Sequence, residues 1–372
     1  MRMNNNQQAF FSLLRAGLWE KDVELRKYGT TDFTKIMRLA EEQSVVGLVA
    51  AGLEHVVDVQ VPKEDVLQFV GQTLQLEQRN TAMNVVITEL VSKMRDAGIS
   101  TLLVKGQGVA QCYARPLWRA CGDVDFFLSD DNYLKAKQYL QTYATRIEKE
   151  ESYKKHLGMS IGEWVIELHG SLRCGFLPRV DRVLDDIQRN CFYDGNVRSW
   201  DNNGVKVFML GRENDVIYVF AHCLNHFFKD GVGLRQVCDW VRLLWSYREK
   251  INGEEIEKKV KQMGMMSEWK AFAALAVGTL GMSSEAMPMY DPSLRWERKA
   301  SKVLDFIMKT GNFGHNRDIS YMQIKPFVIR KAISLWRHTA DGVTYFSIFP
   351  LDSLKVWGVK VKMGLKSLVR GE

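Results

Sequence analysis

The segment Cys121-Gly122-Asp123-Val124-Asp125-Phe126-Phe127-Leu128 limits what this chain can fold into more than any other stretch. Acid and apolar residues alternate and then run into a solid apolar end, which is the pattern of a buried β-strand. Residues two apart in a strand share a face, so Asp123 and Asp125 project to one side while Val124 and Phe126 face the core. Two adjacent carboxylates repel, and one stays protonated unless a cation neutralises the pair. A divalent metal is the usual resolution, and Mg²⁺ accepts carboxylate and phosphate oxygens together. Surface strands also carry alternating acids, so the pair gains meaning only from its surroundings.

Those surroundings are specific. Ile99 to Val104 is a short apolar run with β character, closed by Lys105-Gly106 and followed by a short helix over about 107–114. A glycine between strand and helix lets backbone N–H groups approach phosphate oxygens. Lys105, Gly106 and Gln107 are therefore candidate nucleotide-binding residues. Asp123 follows Gly106 by 17 positions, room for one helix and a return loop. Further on, stretches near 152–159 and 163–169, joined at 160–162, read as a hairpin. The second holds Ile166-Glu167-Leu168, an acid between apolar residues that can point into the same site. Asp123, Asp125 and Glu167 are the candidate catalytic and metal-binding residues. Arg119 reads two ways, as a surface arginine or as one that braces the site or faces phosphate. Lys105 also has two readings, since it can pair with Asp123 or Asp125 instead of phosphate. His156 and His169 are expected to meet across the hairpin in a structural role.

Around this unit the chain is helical. Helical spacing marks residues 8–95, with a long helix over 82–96. Ser129-Asp130-Asp131 caps a helix running to about Thr142, and Asn203-Gly204 makes a tight turn before a strand at 205–208. Helices follow over 216–228, 234–245, 254–281 and 293–310. In the first of these, Tyr218, His222, Asn225 and Lys229 lie opposite the apolar stripe, facing solvent or a cleft; His222 and His226 lack the H-E-x-x-H pattern of a zinc protease. The expected organisation is an N-terminal helical region (1–95), an α/β core (96–211), a helical lobe (212–320) and a basic C-terminal segment (321–372).

The stretch Leu103-Val104-Lys105-Gly106, Tyr113, Pro116, Arg119, Gly122-Asp123-Val124-Asp125, His156 and Glu167-Leu168-His169 resembles a family of uncharacterised bacterial nucleotidyltransferases, the type 5 group of the DNA polymerase β-like superfamily. Gly233-Leu234-Arg235-Gln236-Val237-Cys238-Asp239 is similar to that family's helical lobe, and the resemblance covers most of residues 1–250. It implies an α+β fold, with a mixed nucleotidyltransferase-like sheet flanked by N- and C-terminal helical lobes. It also implies two-metal transfer of a nucleoside monophosphate from NTP to a hydroxyl acceptor, with Mg²⁺ or Mn²⁺ as cofactor. One departure matters: the wider superfamily places serine or glycine after the turn glycine, where this chain has Gln107. The alternative is a non-catalytic member that binds nucleotide or a partner.

Composition adds bounds. A chain of 372 residues with 46% hydrophobic and 26% charged residues is ordinary globular material of two or three lobes. The net charge of +7 is concentrated, with nine Lys or Arg against three Asp or Glu in residues 325–372. That segment suits weak contact with an anionic surface, although a solvated helix face is the commoner outcome. No aromatic-and-basic recognition motif favours nucleic acid. The six cysteines form no C-x-x-C pair, which argues against a zinc ribbon and for reduced thiols in a cytoplasmic setting. The N-terminus lacks an apolar signal core, and no apolar run of 18 residues predicts a membrane span.

Overall fold

The computed structural model describes residues 3–229, 231–317 and 327–359. The remainder of the basic C-terminal segment, 321–326 and 360–372, lies outside the described residues. The chain opens with helices α1 (Asn5–Trp19), α2 (Phe33–Glu42), α3 (Val46–Glu54) and α4 (Lys63–Asp96). Local chemistry sets these starts. Asn4 caps α1 in a reciprocal box with Gln7, and Asp32 accepts from the Lys35 N–H at the head of α2. At 34 residues, α4 is far longer than its C-terminal half alone suggested, about 50 Å at 1.5 Å per residue.

Strand β1 (Leu102–Val104), helix α5 (Gly106–Ala110), strand β2 (Asp123–Phe127) and helix α6 (Asp130–Gln141) follow. Next come β3 (Arg146–Ile147), β4 (His156–Ile161), β5 (Trp164–His169), α7 (Pro178–Phe192), β6 (Val197–Asn202) and β7 (Val205–Leu210). The hairpins at 156–169 and 197–210 form as the turn signals require; Asn203 and Gly204 both take positive φ, the geometry a two-residue hairpin needs. The strands make one seven-stranded mixed sheet in the order β3-β4-β5-β2-β1-β7-β6. β2 is antiparallel to β1 and parallel to β5, which places the acidic strand at the centre of the sheet.

The two faces of the sheet bury different layers. Val124, Phe126, Ile166 and Leu168 point to one side, where Met83, Ile87, Leu90 and Met94 of α4 and Tyr133 and Leu140 of α6 cover them. Leu102, Val104 and Phe127 point to the other, into a larger cluster built with α1–α3 and the C-terminal helices. Those helices are α8 (Arg212–Lys229), α9 (Leu234–Tyr247), α10 (Gly253–Met263), α11 (Met266–Gly278), α12 (Leu294–Thr310) and α13 (Phe327–Ile348). The single helix expected over 254–281 is two, because Gly264 turns left-handed at φ 64° and ends α10.

The N-terminal helices and the C-terminal lobe meet on this second face. Gln43, fully buried after α2, accepts from the Leu234 N–H at the start of α9 and donates to the Ile307 carbonyl of α12. Trp19 donates to the Leu280 carbonyl at 2.6 Å. The acidic strand thus lies under a helical roof drawn from both ends of the chain. No helix of the described residues is long and apolar enough to cross a membrane.

Candidate active site

The site begins at the turn after β1. Lys105 and Gly106 both take positive φ, 56° and 42°. Such backbone is costly for lysine and marks a position held by its surroundings. A side chain at Gly106 would meet Cys121 Sγ at 3.3 Å and the Asp123 carbonyl at 3.5 Å, so the turn lies directly against the entry to β2. The following helix has five residues, which leaves little helix dipole at the turn. The positive charge there comes from Lys105, whose Nζ sits 2.6 Å from Asp125 Oδ1.

Strand pairing assembles the acids. In the parallel register of β2 and β5, Asp125 stands opposite Glu167 and Phe127 opposite His169. The antiparallel register of β4 and β5 sets His156 opposite His169. All these side chains share the face under the helical roof. His169 Nε2 donates to Asp125 Oδ1 at 2.7 Å and lies 3.4 Å from Glu167 Oε2, while His156 Nε2 lies 3.1 Å from that oxygen. The two imidazoles do meet across the hairpin, with ring centroids 4.8 Å apart. The side-chain donors of His156, Glu167 and His169 lie within 4.8 Å of one another, a spacing that can hold a metal ion.

The charges are unequally compensated. Asp125 is only 1% exposed and holds both Lys105 and His169. Burial works against the charge on Glu167, but hydrogen bonds from His156 and His169 and the charge of Lys105 hold it well below the usual carboxylate range. Burial also opposes charge on Lys105 and His169, yet the neighbouring carboxylates raise both above their ordinary values. Asp123 is the exception. Repulsion from Asp125, with burial, pushes it up to about 6, and its carboxylate has no hydrogen-bond or ion-pair partner among the described residues.

The other two nucleotide candidates are committed elsewhere. Gln107 is buried, and its amide donates to Asn80 Oδ1 at 2.7 Å; Asn80 in turn donates to the Leu117 and Arg119 carbonyls. It ties the turn to α4 and to the loop that feeds β2. Arg119 forms a two-pronged pair with Asp239 of α9, both contacts at 2.7 Å, and Tyr113 donates to the same carboxylate at 2.8 Å. Burial opposes the Arg119 charge, but Asp239 raises its pKa further. This arginine braces the loop before β2 against the helical lobe.

The roof brings in the α8 face that the sequence allows to face solvent or a cleft. Tyr218, His222 and His226 recur every four residues along α8, with ring centroids 6.2 and 4.5 Å apart. Burial, then the charges of Lys105, His226 and His169, drives His222 well below the ordinary histidine value, so it is neutral. Tyr218 and Asn225 on the polar stripe of α8 are buried, so that part of the stripe is packed and does not face solvent, and His222 lies close enough to Lys105 and His169 to feel their charges. Arg235, in the first turn of α9, lowers Asp123 through its charge.

Comparison with known proteins gives two findings. A family model described as uncharacterised nucleotidyltransferase matches residues 29–281, more than half of the chain. Among solved structures, the chain is similar to an antigenic nucleotidyltransferase-like protein from Paracoccidioides brasiliensis at 14% identity. That match covers 56% of this chain and 93% of the other, with a TM-score of 0.34. No curated protein matches.

Proposed function

Because the chain belongs to the uncharacterised nucleotidyltransferase family, we propose that it transfers a nucleoside monophosphate from an NTP to a hydroxyl acceptor. The observation that carries this reading is the Asp125–Glu167 register with Asp123 unneutralised beside it. Closely set carboxylates gathered without enough cation suit a divalent ion. Asp123, Asp125 and Glu167 are hard oxygen donors that fit Mg²⁺ or Mn²⁺, and Glu167 is shared with the His156 and His169 donors. When bound, the metal would neutralise phosphate charge and make the acceptor hydroxyl more acidic.

The chain's own groups set the geometry. Lys105, already beside Asp125, can extend its ammonium to a phosphate oxygen without moving far. His156 and His169 fix the Glu167 carboxylate in its ionised form. Gln107, Asn80 and Arg119 hold the turn and strand in register. In the transfer, the acceptor hydroxyl loses its proton to solvent, its oxygen bonds to the α-phosphorus as the bond to pyrophosphate breaks, and the protein contributes mainly position and charge.

Pyrophosphate release from labelled NTPs over a panel of hydroxyl acceptors tests the proposal. Turnover should need Mg²⁺ or Mn²⁺ and should vanish in Asp123→Ala and in Asp125→Ala; unchanged turnover in either variant sinks it. One observation favours a second reading, nucleotide binding without transfer: the residue after the turn glycine, Gln107, is turned inward to Asn80. Calorimetric NTP binding with no pyrophosphate release from any acceptor would select that reading.

A further inference from the structure

We propose that Phe313 and Arg235 form the nucleobase end of this site, with the base of the NTP stacking on the Phe313 ring and Arg235 standing between that ring and the acids. The inference rests on the cluster at Asp123, Asp125 and Glu167 being a nucleotide site, and it assigns the opposite end of the ligand.

A continuous path of rings leads there. Tyr218, His222 and His226 step outward along α8, and the His226 ring meets Phe313 edge-on at 4.8 Å between centroids. Tyr218 and His222 mark the inner end of that path, close enough to Lys105 to feel its charge. Phe313 marks the outer end and is 50% exposed.

The Phe313 backbone is held in an unusual conformation. It sits at φ 51°, ψ 29°, the left-handed region, between Gly311 and Gly314, also at positive φ. A bulky residue in that region is uncommon and strained, and strain of this kind collects at ligand sites. The connection between α8 and α9 holds the turn from behind. A side chain at Gly231 would come within 3.1 Å of the Gly314 nitrogen, and one at Gly233 within 2.7 Å of Asn312 Cβ. Asn312 also donates to Ser44 Oγ at 2.7 Å. The ring is thus presented half-exposed on a fixed turn.

Arg235 links the two ends. Its guanidinium lies 5.9 Å from the Phe313 ring centroid and 3.8 Å from Asp239, whose two oxygens are already held by Arg119 at 2.7 Å each. Its charge reaches both Asp123 and Cys121. A guanidinium between an aromatic face and a carboxylate cluster is placed to meet a phosphate chain that runs from the base to the acids. Every base has a π-face, so stacking alone selects an NTP with at most a preference for the larger purines.

Calorimetry of the full chain with Mg²⁺-ATP and with Mg²⁺-tripolyphosphate separates the two ends. Phe313→Ala and Phe313→Leu should weaken ATP binding about tenfold, from the usual strength of one base–aromatic stack, and leave tripolyphosphate unchanged. Phe313→Tyr should keep wild-type ATP affinity. Leucine retains apolar contact with His226, so a loss in both Phe313→Ala and Phe313→Leu, with normal melting temperature, reports the π-face. Arg235→Gln should weaken both ligands. Unchanged ATP affinity in the Phe313 variants, or an equal loss for tripolyphosphate, overturns the inference alone. A wild-type chain that binds neither ligand overturns the nucleotide reading beneath it.

Discussion

Arg119 and Asp125 are six residues apart, and each is buried among charges. Around Arg119 the account balances: one guanidinium meets one carboxylate through two 2.7 Å contacts, and Tyr113 satisfies the same acid. Around Asp125 it does not: Lys105 and His169 contact Asp125, His156 and His169 contact Glu167, and the Asp123 carboxylate has no hydrogen-bond or ion-pair partner among the described residues. Losing the first cluster would strand a buried charge, whereas Asp123 in the second adds repulsion. A matched buried pair is a brace; under the proposed function, the unmatched acid is where a cation would be held.

The comparison can be broken at several points. The largest expected effect is on turnover. Asp125→Ala or Asp123→Ala should cost about a thousandfold or more, the scale of losing one preorganised charge at a reacting centre. The same comparison requires that Asp123→Asn melt at or above the wild-type temperature, since it removes repulsion. A clear loss of stability in that variant would show that Asp123 braces the fold after all.

Removing a brace should do the reverse. Asp239→Ala leaves Arg119 buried and unpaired and should cost about 3–5 kcal/mol in denaturant unfolding. A change near zero would erase the distinction between the clusters.

A second under-compensated acid lies in the helical lobe. Glu268 of α11 is fully buried, and burial, with the negative charge of Asp352, pushes its carboxyl up to about 8. Between pH 4.5 and about 8 the native state holds a proton that the unfolded chain releases, so stability should fall as pH rises through that window and level off above it. The slope should be on the order of 1 kcal/mol per pH unit. Glu268→Gln should flatten the profile; an unchanged slope would remove Glu268 from the account.

The smallest effect concerns Gln107. Gln107→Ser strips Asn80 of a partner, so stability should drop by about 1 kcal/mol in chemical unfolding. A loss of several kcal/mol would give Gln107 a larger part in the brace.

Much of this was legible in the sequence where the signal is local. The alternation at 123–128, the Lys105-Gly106 turn, the 156–169 hairpin and Asn203-Gly204 all declare themselves within a few residues. The edge strands do not: β6 reads Val-Arg-Ser-Trp-Asp-Asn and β3 has two exposed residues, because an edge that buries little needs no apolar face. Helix α7 carries a local signal of its own, Pro178 at its start and Val180, Val183, Leu184 and Ile187 on one stripe. In the candidate site, the acids were visible as residue types, but the register that sets Asp125 against Glu167 depends on pairing across 42 positions. The Arg119–Asp239 brace spans 120 positions, and no local pattern announces it. Arg235 lies 112 positions and Phe313 190 positions beyond Asp123, and only the folded roof brings the arginine's charge to Asp123.

The most direct test of the unmatched cluster is Mn²⁺ binding followed by electron paramagnetic resonance in the presence of ATP. The wild-type chain should take up the ion with ATP, and Asp123→Ala should lose that uptake while keeping its fold. Equal Mn²⁺ occupancy in the two proteins would contradict the account.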